Sequence, residues 1–405
     1  MSTAAQTSSS SGNVPFLDVT ASGFTFDRPQ VAVAREQNWW AETPVGPLVL
    51  RYAEVQELLR DSRLVQNGRA FLERNDVTGG LVHDWFVQLI LHRHGVDHAR
   101  LRQLVSKSFT PRVSRELRPF IRTAAERLAE RLATTDVCDF VDMFADPLPV
   151  TVMCRLLGVP AEDYDTFRRW SSNIGLVFGL DHDRGLLPRV EESVTGLYGY
   201  VAELVRRRED EPKDDLISDL LRAQRDENTI STDELLNLVV TLIFAAHDTT
   251  RHQLAHAMVA FSKYPEQWAV LRERPELAAQ TVEEVMRWCP SVPVIFRVAA
   301  QDVDYHGLHL PAGTFLMLCV QSAQRDPRVF ADGDAFDITV TREAAHLTFG
   351  AGPHFCLGAA TARTELAEAL PALASRLGPP TIAGPVTWRH PIGVSGPDAL
   401  PLRFG

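Results

Sequence analysis

Residues 346–360 read HLTFGAGPHFCLGAA, a glycine-punctuated apolar run that contains one cysteine, Cys356. Gly350, Gly352 and Gly358 permit positive φ values and let the backbone approach a ligand closely. The helix predicted to begin just after Cys356 directs N–H groups and positive potential toward the sulfur, which lowers the pKa of the thiol and favours a thiolate. The pattern is typical of a sulfur that faces a flat ligand. A buried structural cysteine in a turn before a helix is the alternative.

The composition places the chain among globular proteins and argues against two classes of partner. Of 405 residues, 45% are hydrophobic and 23% are charged, so the chain has enough apolar residues for a large core. A formal net charge of -11 disfavours nucleic acid or an anionic membrane as the main partner. The N-terminal stretch MSTAAQTSSSSGNVPF has neither a basic start nor an apolar segment, so we predict no signal peptide and no membrane anchor.

The five cysteines are scattered, which fits a reducing cytoplasm better than a disulfide scaffold. A zinc site at Cys356 is a poor alternative, because His354 is the only other ligand nearby and no second cysteine lies at zinc-site spacing. We therefore predict a cytoplasmic protein. The remaining cysteines lie in apolar surroundings and are interpreted as small core residues: Cys138, Cys154, Cys289 and Cys319.

The longest helical pattern, STDELLNLVVTLIFAAHDTTRHQLAHAMVAFSKYP, predicts a helix over about residues 231–263. Ser231 followed three residues later by Glu234 is a capping box, and Pro265 ends the pattern. The middle of this helix is apolar all round, so other helices must enclose it. With β-branched segments and turns late in the chain, the sequence predicts a mainly α fold with small β-sheets. We expect a disordered tail over residues 1–14 and a single domain over residues 15–405.

A polar stretch, AAHDTT, interrupts this apolar helix at residues 245–250. Asp248 there bears a large desolvation cost unless it is paired or hydrated. Thr249 can donate a hydrogen bond to a carbonyl one turn earlier, which loosens the helix locally. A functional site, a helix bend and a solvent-facing polar patch are all consistent with this pattern.

The stretch FGAGPHFCLG resembles the haem-binding signature of the cytochromes P450. Further motifs of that family follow in its order along the chain: AAHDTT resembles the oxygen-binding stretch, and EEVMRW resembles the E-x-x-R element, with Glu284 and Arg287 three residues apart. The resemblance implies that Cys356 is the axial ligand of the haem iron. It also implies that the haem (haem b) is contacted by Phe349, Gly350, Gly358, Ala245, His98, Arg102, Arg297 and His354, the last four by binding the propionates.

The resemblance assigns roles to the polar residues of the long helix. Thr249 is expected to assist oxygen activation, and Asp248 is expected to relay protons from solvent. Ala246 stands where the family usually has glycine, and the extra methyl group could narrow the site.

The Glu284–Arg287 pair is expected to be buried and to support the cysteine loop. Many members of the family add an arginine just before a phenylalanine in a later segment, where this chain has Ala335. Arg325 or Arg328 could supply the missing arginine.

The resemblance implies a haem-thiolate monooxygenase that uses O2 and electrons from NAD(P)H. No flavin or iron–sulfur domain is visible, so ferredoxin and ferredoxin reductase are the expected electron donors. A basic patch at Arg100, Lys107 and Arg112 is the expected ferredoxin dock. Two alternatives are a peroxide-driven peroxygenase, disfavoured because Asp248 and Thr249 are retained, and a non-catalytic haem-based sensor or binding protein. A helical binding protein with coincidental motifs is a third.

By analogy with the family, the substrate pocket is largely apolar. An apolar pocket predicts a hydrophobic small molecule as the substrate, such as a polyketide, a terpenoid or an aromatic secondary metabolite. Any of the pocket residues could equally belong to an ordinary core. The expected pocket residues are Phe86, Gln88, Phe178, Thr241, Phe244, Val294, Ile295 and Val394.

Overall fold

The structure, a computed structural model, describes residues 14–179, 185–227 and 229–405; the predicted tail therefore lies outside the described residues except for Val14. The described part is mainly helical with small sheets, as the sequence predicts. Its helices are α1 Pro29–Gln37, α2 Tyr52–Leu58, α3 Gly68–Glu73, α4 Leu81–Phe86, α5 Gly95–Ser106, α6 Pro111–Ala133, α7 Pro147–Leu157, α8 Tyr164–Gly175, α9 Leu186–Asp210, α10 Leu216–Glu227, α11 Thr232–Lys263, α12 Pro265–Glu273, α13 Ala278–Trp288, α14 Val320–Ala323 and α15 Ala359–Arg376.

The strands are short and form four small sheets. The largest has the order β1-β2-β8-β5-β3, in which β2 and β8 are parallel and the other pairs are antiparallel. A three-stranded sheet has the order β4-β12-β9, and β6-β7 and β10-β11 form two hairpins. The strand bounds are β1 Trp40–Ala41, β2 Leu48–Val49, β3 Leu64–Val65, β4 Cys138–Asp139, β5 Val294–Ala299, β6 Val303–Tyr305, β7 Leu308–Leu310, β8 Phe315–Cys319, β9 Pro380–Ile382, β10 Thr387–Trp388, β11 Pro397–Ala399 and β12 Pro401–Phe404.

Helix α11 is the central element, and its bounds confirm the predicted long helix. The Ser231 side chain accepts a hydrogen bond from the Glu234 N–H, and the Glu234 side chain accepts one from the Ser231 N–H, so the capping box forms as predicted. Helices α7, α8, α9, α12, α13 and α15 pack around it. This enclosure explains how a helix that is apolar on all sides is stable in water.

The elements around α11 form the walls of one cavity. Strand β5 forms one wall, and its neighbour β8 holds it in antiparallel register, with Arg297 opposite Leu316. The loop before α15 carries Cys356, and α15 itself packs mainly against α6. Within the described ranges, no helix combines the length and the apolar character needed to cross a membrane.

Candidate active site

A cavity of about 420 Å³ lies between α11, β5 and the cysteine loop. Its lining brings together the predicted haem contacts, the predicted Asp248 and Thr249, and all but one of the predicted pocket residues. These residues are far apart in the sequence, and the fold places them around one space. The polar chemistry divides into a cysteine end and an α11 end, with an apolar wall between them.

The cysteine loop forms a tight turn beneath the cavity. The Cys356 N–H donates to the Phe349 carbonyl oxygen at 2.9 Å, which closes the loop. Gly350 and Gly352 both have φ 68°, a left-handed conformation that favours glycine, as the sequence predicts. Gly358 differs from the prediction: as the residue before α15 it has φ -80°, so its backbone does not require glycine.

Gly358 matters instead because of the space beside it. It lines the cavity, and a Cβ atom built there would meet no atom of the chain within 4 Å. The absence of a side chain therefore leaves the surface next to Cys356 flat and open. A planar macrocycle fits such a surface, whereas a side chain at this position would project into it.

The Cys356 thiol lines the cavity, and its electrostatics differ from the sequence expectation. Burial raises the pKa of the thiol, and the backbone N–H of Gly358 and the guanidinium of Arg102 act in the opposite direction. The predicted stabilisation of a thiolate by the helix N-terminus is therefore present, but burial outweighs it in the chain alone. Coordination to a metal cation removes the thiol proton outright.

Four predicted propionate ligands come together beside the cysteine loop. The rings of His98 and His354 are 4.2 Å apart between centroids, and Arg102 donates to the Phe355 carbonyl oxygen at 2.7 Å. Burial lowers the pKa of Arg297 to about 10. Burial, followed by the nearby His98 and Arg297, lowers the pKa of His354 to about 3. We call these four residues the cationic cluster; its positive charge comes from Arg102 and Arg297, because a pKa of about 3 leaves the His354 ring neutral near pH 7.

The cationic cluster lacks anionic partners of its own. Among the described residues, none of its members forms an ion pair with a carboxylate. Buried cations normally lie beside compensating anions, because their desolvation is costly. The cluster next to an open planar surface therefore fits a flat ligand with carboxylate groups, and the residues present fit haem.

Thr249 and Ala245 form the α11 end of the cavity. The Thr249 hydroxyl donates to the Ala245 carbonyl oxygen at 2.9 Å, as predicted for a threonine in a helix interior. Both residues line the cavity, and so does Ala246 in place of the family's usual glycine. Ala246 also packs against the apolar core, so its methyl group occupies space at this end.

Asp248 is paired, as its position in an apolar helix demands. Its side chain is 1% exposed, and its two oxygens accept from Arg251 at 3.0 Å and from Arg389 at 2.7 Å. Arg389 in turn donates to Asp398 at 2.9 Å. The sequence interpretation did not include Arg389 or Asp398.

Glu284 and Arg287 lie outside the cavity and form a buried, bidentate ion pair. Arg287 donates to the two Glu284 oxygens at 2.7 and 2.8 Å, and both side chains are 2% exposed. The third member is Arg342, which donates to the same carboxylate at 2.8 and 2.9 Å. The suggestion of Arg325 or Arg328 is therefore wrong.

Those two arginines have other partners. Arg325 donates to the Trp288 carbonyl oxygen at 2.8 Å, and Arg328 pairs with Glu36 and Asp326. Arg342 lies on the segment that leads into the cysteine loop, so its ion pair with Glu284 ties that segment to α13.

A further connection runs from α13 to the start of that loop. The Gln324 side chain accepts from the Leu347 N–H at 2.6 Å, and the Thr348 hydroxyl donates to the Met286 carbonyl oxygen at 2.9 Å. Because Arg287 donates to the Gln324 carbonyl oxygen at 2.9 Å, the buried ion pair and the cysteine loop share one hydrogen-bonded framework. This arrangement agrees with the expected supporting role.

The apolar wall of the cavity is built largely from aromatic rings. Phe178 and Phe244 stack with centroids 5.3 Å apart, and Phe86 lies 5.1 Å from Phe178. Thr241 lines the cavity, but its hydroxyl donates to the Asn237 carbonyl oxygen at 2.6 Å, so its proton is already engaged. The other predicted wall residues in the lining are Val294, Ile295 and Val394.

Gln88 is the one predicted pocket residue that the structure places elsewhere. It is exposed, and it lines a separate small recess with Leu101 and Asn237. Helix α4 ends at Phe86, whose ring turns into the cavity, and the chain then turns so that Gln88 points away. Gln88 is therefore a wrong assignment.

Sequence reasoning missed several polar residues of the site. His94, the residue before α5, lies next to the site with its ring 5.5 Å from that of His354, and its position four residues before His98 was a usable signal. Glu365 is buried on α15 and lines the cavity, so it places a carboxyl group among the buried residues of that helix. Arg389 gave no signal, because only the tertiary fold brings it to Asp248.

Comparisons with known proteins agree with this geometry. A family model described as Cytochrome P450 matches residues 180–376. Luteothin monooxygenase of Streptomyces thioluteus is 49% identical over 406 residues, with 100% of both chains covered. Mycinamicin IV hydroxylase/epoxidase of Micromonospora griseorubida is 37% identical over 368 residues, with 88% of each chain covered.

Among solved structures, the crystal structure of CalO2 has a TM-score of 0.89 and 31% identity, and the match covers 97% of this chain and 99% of that one. The likeness therefore extends over nearly the whole fold, including the cysteine loop, α11 and the wall between them. The chain belongs to the cytochrome P450 family and is a monooxygenase.

Proposed function

We propose that this enzyme inserts one oxygen atom of O2 into a C–H bond, or a double bond, of a hydrophobic small molecule. One observation carries the proposal: a single cavity has the Cys356 thiol and the cationic cluster at one end, Thr249 and Asp248 at the other, and aromatic walls between them. In the balanced reaction, substrate, O2, two electrons and two protons give the oxygenated product and one water. Haem, when bound, supplies the oxygen-activating redox chemistry through its thiolate-ligated iron.

The residues of the chain bind, orient and supply protons. The Cys356 sulfur would bind the iron, while His98, Arg102, Arg297 and His354 would bind the propionates and fix the orientation of the macrocycle. At the α11 end, Thr249 and Asp248 hold and move the protons that the reaction consumes, in a site whose apolar walls exclude bulk water.

The substrate class follows from the walls of the cavity and from the relatives. The rings of Phe86, Phe178 and Phe244 offer stacking and apolar contact, with few free hydrogen-bonding groups. The relatives are named for luteothin and mycinamicin IV, which supports a secondary metabolite as substrate. We infer that the substrate is a mostly apolar secondary metabolite, bound by shape and ring contact.

The electrons come from a separate ferredoxin and its NAD(P)H-dependent reductase. Helix α5 lies against the cysteine loop, as the Arg102 contact with Phe355 indicates. Arg100 is less suited to ferredoxin docking than expected, because its guanidinium is bound by Glu234 and by the Thr229 carbonyl oxygen. Lys107 and Arg112 are exposed and remain the proposed contact. Arg112 pairs with Glu116, but that pair lies on the open surface, where Arg112 can exchange partners at little cost.

The docking proposal is tested with Lys107→Glu and Arg112→Glu, using Arg403→Glu as the matched control. Arg403 is an exposed arginine that pairs with Asp136 on a different part of the surface. The two dock variants should slow reduction by ferredoxin and weaken its dependence on salt, because both effects report surface charge steering. Equal effects of all three variants would contradict the proposed location.

The proposed activity is tested by ligand screening followed by turnover. A panel of apolar secondary metabolites is titrated into the haem-loaded protein, and a low-spin to high-spin shift identifies compounds that enter the cavity. Each binder is then incubated with ferredoxin, reductase and NADPH, or with hydrogen peroxide alone. Oxygenated product with the redox partners supports the proposal, whereas product with peroxide only would favour the peroxygenase alternative.

A further inference from the structure

The Asp248 carboxylate is enclosed by three different parts of the fold. Arg251 approaches one oxygen from the next turn of α11, and Arg389 approaches the other from the segment after β10. On the third side lies Gly175 at the end of α8, where an added Cβ atom would overlap the Asp248 carboxylate. The carboxylate therefore cannot turn without a change in at least one of these neighbours.

Arg389 differs from Arg251 in how it can move. Arg251 and Asp248 lie on the same helix, so their contact persists as long as α11 is intact. Arg389 lies on the hairpin formed by β10 and β11, and its backbone N–H donates to the Gly396 carbonyl oxygen at 3.0 Å. It is the partner that can separate from Asp248 by movement of a hairpin.

A second carboxylate holds Arg389 when that contact opens. Asp398 on β11 accepts from Arg389 at 2.9 Å and from Arg251 at 3.0 Å. Breaking the Arg389–Asp248 contact thus leaves the guanidinium paired, which avoids the cost of an uncompensated buried charge. The Asp398 side chain is 34% exposed whereas that of Asp248 is 1% exposed, so Asp398 connects the buried group to solvent.

The tip of the same hairpin reaches the cavity. Val394 lines the cavity. Gly393 has φ 99°, and a Cβ atom there would lie 2.4 Å from the Phe178 carbonyl oxygen. The hairpin thus packs against the aromatic wall that includes Phe178 and also holds the acid at the α11 end. A ligand that shifts Val394 or Phe178 bears directly on the segment that carries Arg389.

We propose that Arg389 is a positioning residue for Asp248: it holds the carboxylate on the hairpin side of α11 and makes its release respond to what fills the cavity beside Val394. This inference rests on the proposed role of Asp248 in proton delivery. Each turnover consumes two protons. A proton that reaches the site through Asp248 enters from solvent on the Asp398 side. The Arg389–Asp248 contact then opens and lets the carboxyl group turn toward Thr249.

A double-mutant cycle tests the coupling. The variants are Arg389→Gln, Asp248→Asn and the double variant, with Arg389→Lys as the conservative replacement and Arg403→Gln as the control. The measured quantities are product formed per NADPH consumed and the solvent deuterium isotope effect on product formation. Each single variant should lower product per NADPH about three- to tenfold, and the double variant should be no worse than Asp248→Asn, because residues that act as a unit are not additive.

The conservative and control variants sharpen the result. Arg389→Lys should keep most of the product per NADPH that Arg389→Gln loses, since it keeps a cation on the hairpin. Arg403→Gln should match the unchanged enzyme. Additive losses in the double variant, or an isotope effect that Arg389→Gln leaves unchanged, would overturn the proposal. The double variant also removes both opposite charges together, so it stays informative if Arg389→Gln alone folds poorly.

A readout independent of turnover tests the link to the cavity. Hydrogen–deuterium exchange of residues 387–399 is followed in the haem-loaded enzyme with and without clotrimazole, an azole that binds haem iron and fills apolar cavities. Clotrimazole should change exchange in this hairpin about twofold or more in the unchanged enzyme and in Arg403→Gln, and much less in Arg389→Gln. Equal changes in all variants would overturn the link.

The two proposals fail in distinguishable ways. If the unchanged enzyme forms no product with redox partners, the proposed function fails before any variant is compared. If it forms product and Asp248→Asn forms as much product per NADPH as the unchanged enzyme, the role of Asp248 fails. If Asp248→Asn lowers product per NADPH and Arg389→Gln does not, only the positioning role of Arg389 fails.

Discussion

The two charged ends of the cavity differ in how their charges are balanced. At the cysteine end, Arg297 is 3% exposed, and within the described chain no carboxylate pairs with it or with the histidines beside it. At the α11 end, the buried Asp248 has two arginine partners, and Asp398 pairs with the same two. Both ends are buried and charged, yet only one is electrostatically complete.

This difference separates a ligand site from an internal ion-pair network. Buried cations without anions are costly, so a fold that keeps them gains from a ligand that supplies the missing charge. A balanced network needs no ligand, and its effect on function comes from how its members move. The cationic cluster is therefore expected to respond mainly to haem, and the Asp248 network mainly to changes within the protein.

The largest expected effect comes from removing the sulfur at the cysteine end. Cys356→Ser keeps the size of the side chain but replaces the thiolate ligand, and turnover should fall by about a thousandfold, because thiolate donation favours O–O cleavage. The measurement is product formation with ferredoxin, reductase and NADPH at matched haem content. Cys319→Ser, at a buried cysteine away from the cavity, is the control. A Cys356→Ser enzyme with undiminished turnover would remove the cysteine end from the chemistry.

Matched arginine substitutions at the two ends test the comparison directly. Arg297→Met should speed haem dissociation about 10- to 100-fold, since it removes charge-assisted hydrogen bonds to the ligand, and it should cost the chain itself little. Arg251→Met should lower the free energy of unfolding by about 3–5 kcal/mol, because it leaves buried carboxylates with one arginine fewer.

The two measurements are haem transfer to excess apomyoglobin and urea unfolding. Each variant should change strongly in one measurement and weakly in the other. If both arginines affected haem retention and unfolding to the same extent, the distinction between a ligand site and an internal network would be lost.

A smaller effect is expected when the hydroxyl at the α11 end is removed. Thr249→Ala keeps the helix and the neighbouring Asp248 pairs, but it removes a proton donor, so product per NADPH should fall by about tenfold while hydrogen peroxide rises. Thr241→Ala is the control, because it removes the same group from the same helix about two turns earlier, where the hydroxyl likewise donates to the carbonyl oxygen four residues back. Normal coupling in Thr249→Ala would show that protons reach the oxygen by another route.

The smallest effect concerns Glu365, a carboxyl group that also lines the cavity. Burial raises the pKa of Glu365 from 4.5 to about 8, so the folded protein binds its proton more tightly than the unfolded chain does. The stability that this provides is fully present below pH 4.5 and is lost as the pH rises toward 8. Over that window Glu365→Gln should become progressively more stable than the unchanged enzyme, by up to about 1.4 kcal/mol per pH unit.

Urea unfolding at several pH values between about 5 and 8 measures this difference. Glu276→Gln is the control, because that side chain is 67% exposed and pairs with Arg274 on the surface. A difference between Glu365→Gln and the unchanged enzyme that does not vary with pH would show that Glu365 titrates normally.

Much of the fold and of the site followed from local sequence pattern. The capping box at Ser231 and the apolar middle of α11 predicted the central helix, because both signals arise within a few residues. The glycines before Cys356 predicted the turn, since positive φ is a local requirement. The P450 resemblance then placed His98, Arg102, Arg297 and His354 at one ligand, and the structure brings these four together.

The errors arose where side-chain direction or distant pairing decides the outcome. Family analogy places Gln88 in the pocket with the segment that begins at Phe86, but the chain turns after α4 and the two side chains diverge. Arg342 was overlooked because it lies 58 residues from Glu284 and outside the expected segment. Arg389 joins Asp248 across 141 residues, and no local pattern encodes such a contact.

The most direct test of the central claim is the absorbance spectrum of the haem-loaded, reduced protein under carbon monoxide. If the Cys356 sulfur binds the iron as a thiolate, the Soret maximum should lie at about 450 nm, and it should move to about 420 nm in Cys356→Ser. A fully haem-loaded, undenatured preparation with its maximum at about 420 nm would contradict thiolate ligation. The assignment of this cavity as the oxygenating site would then fail.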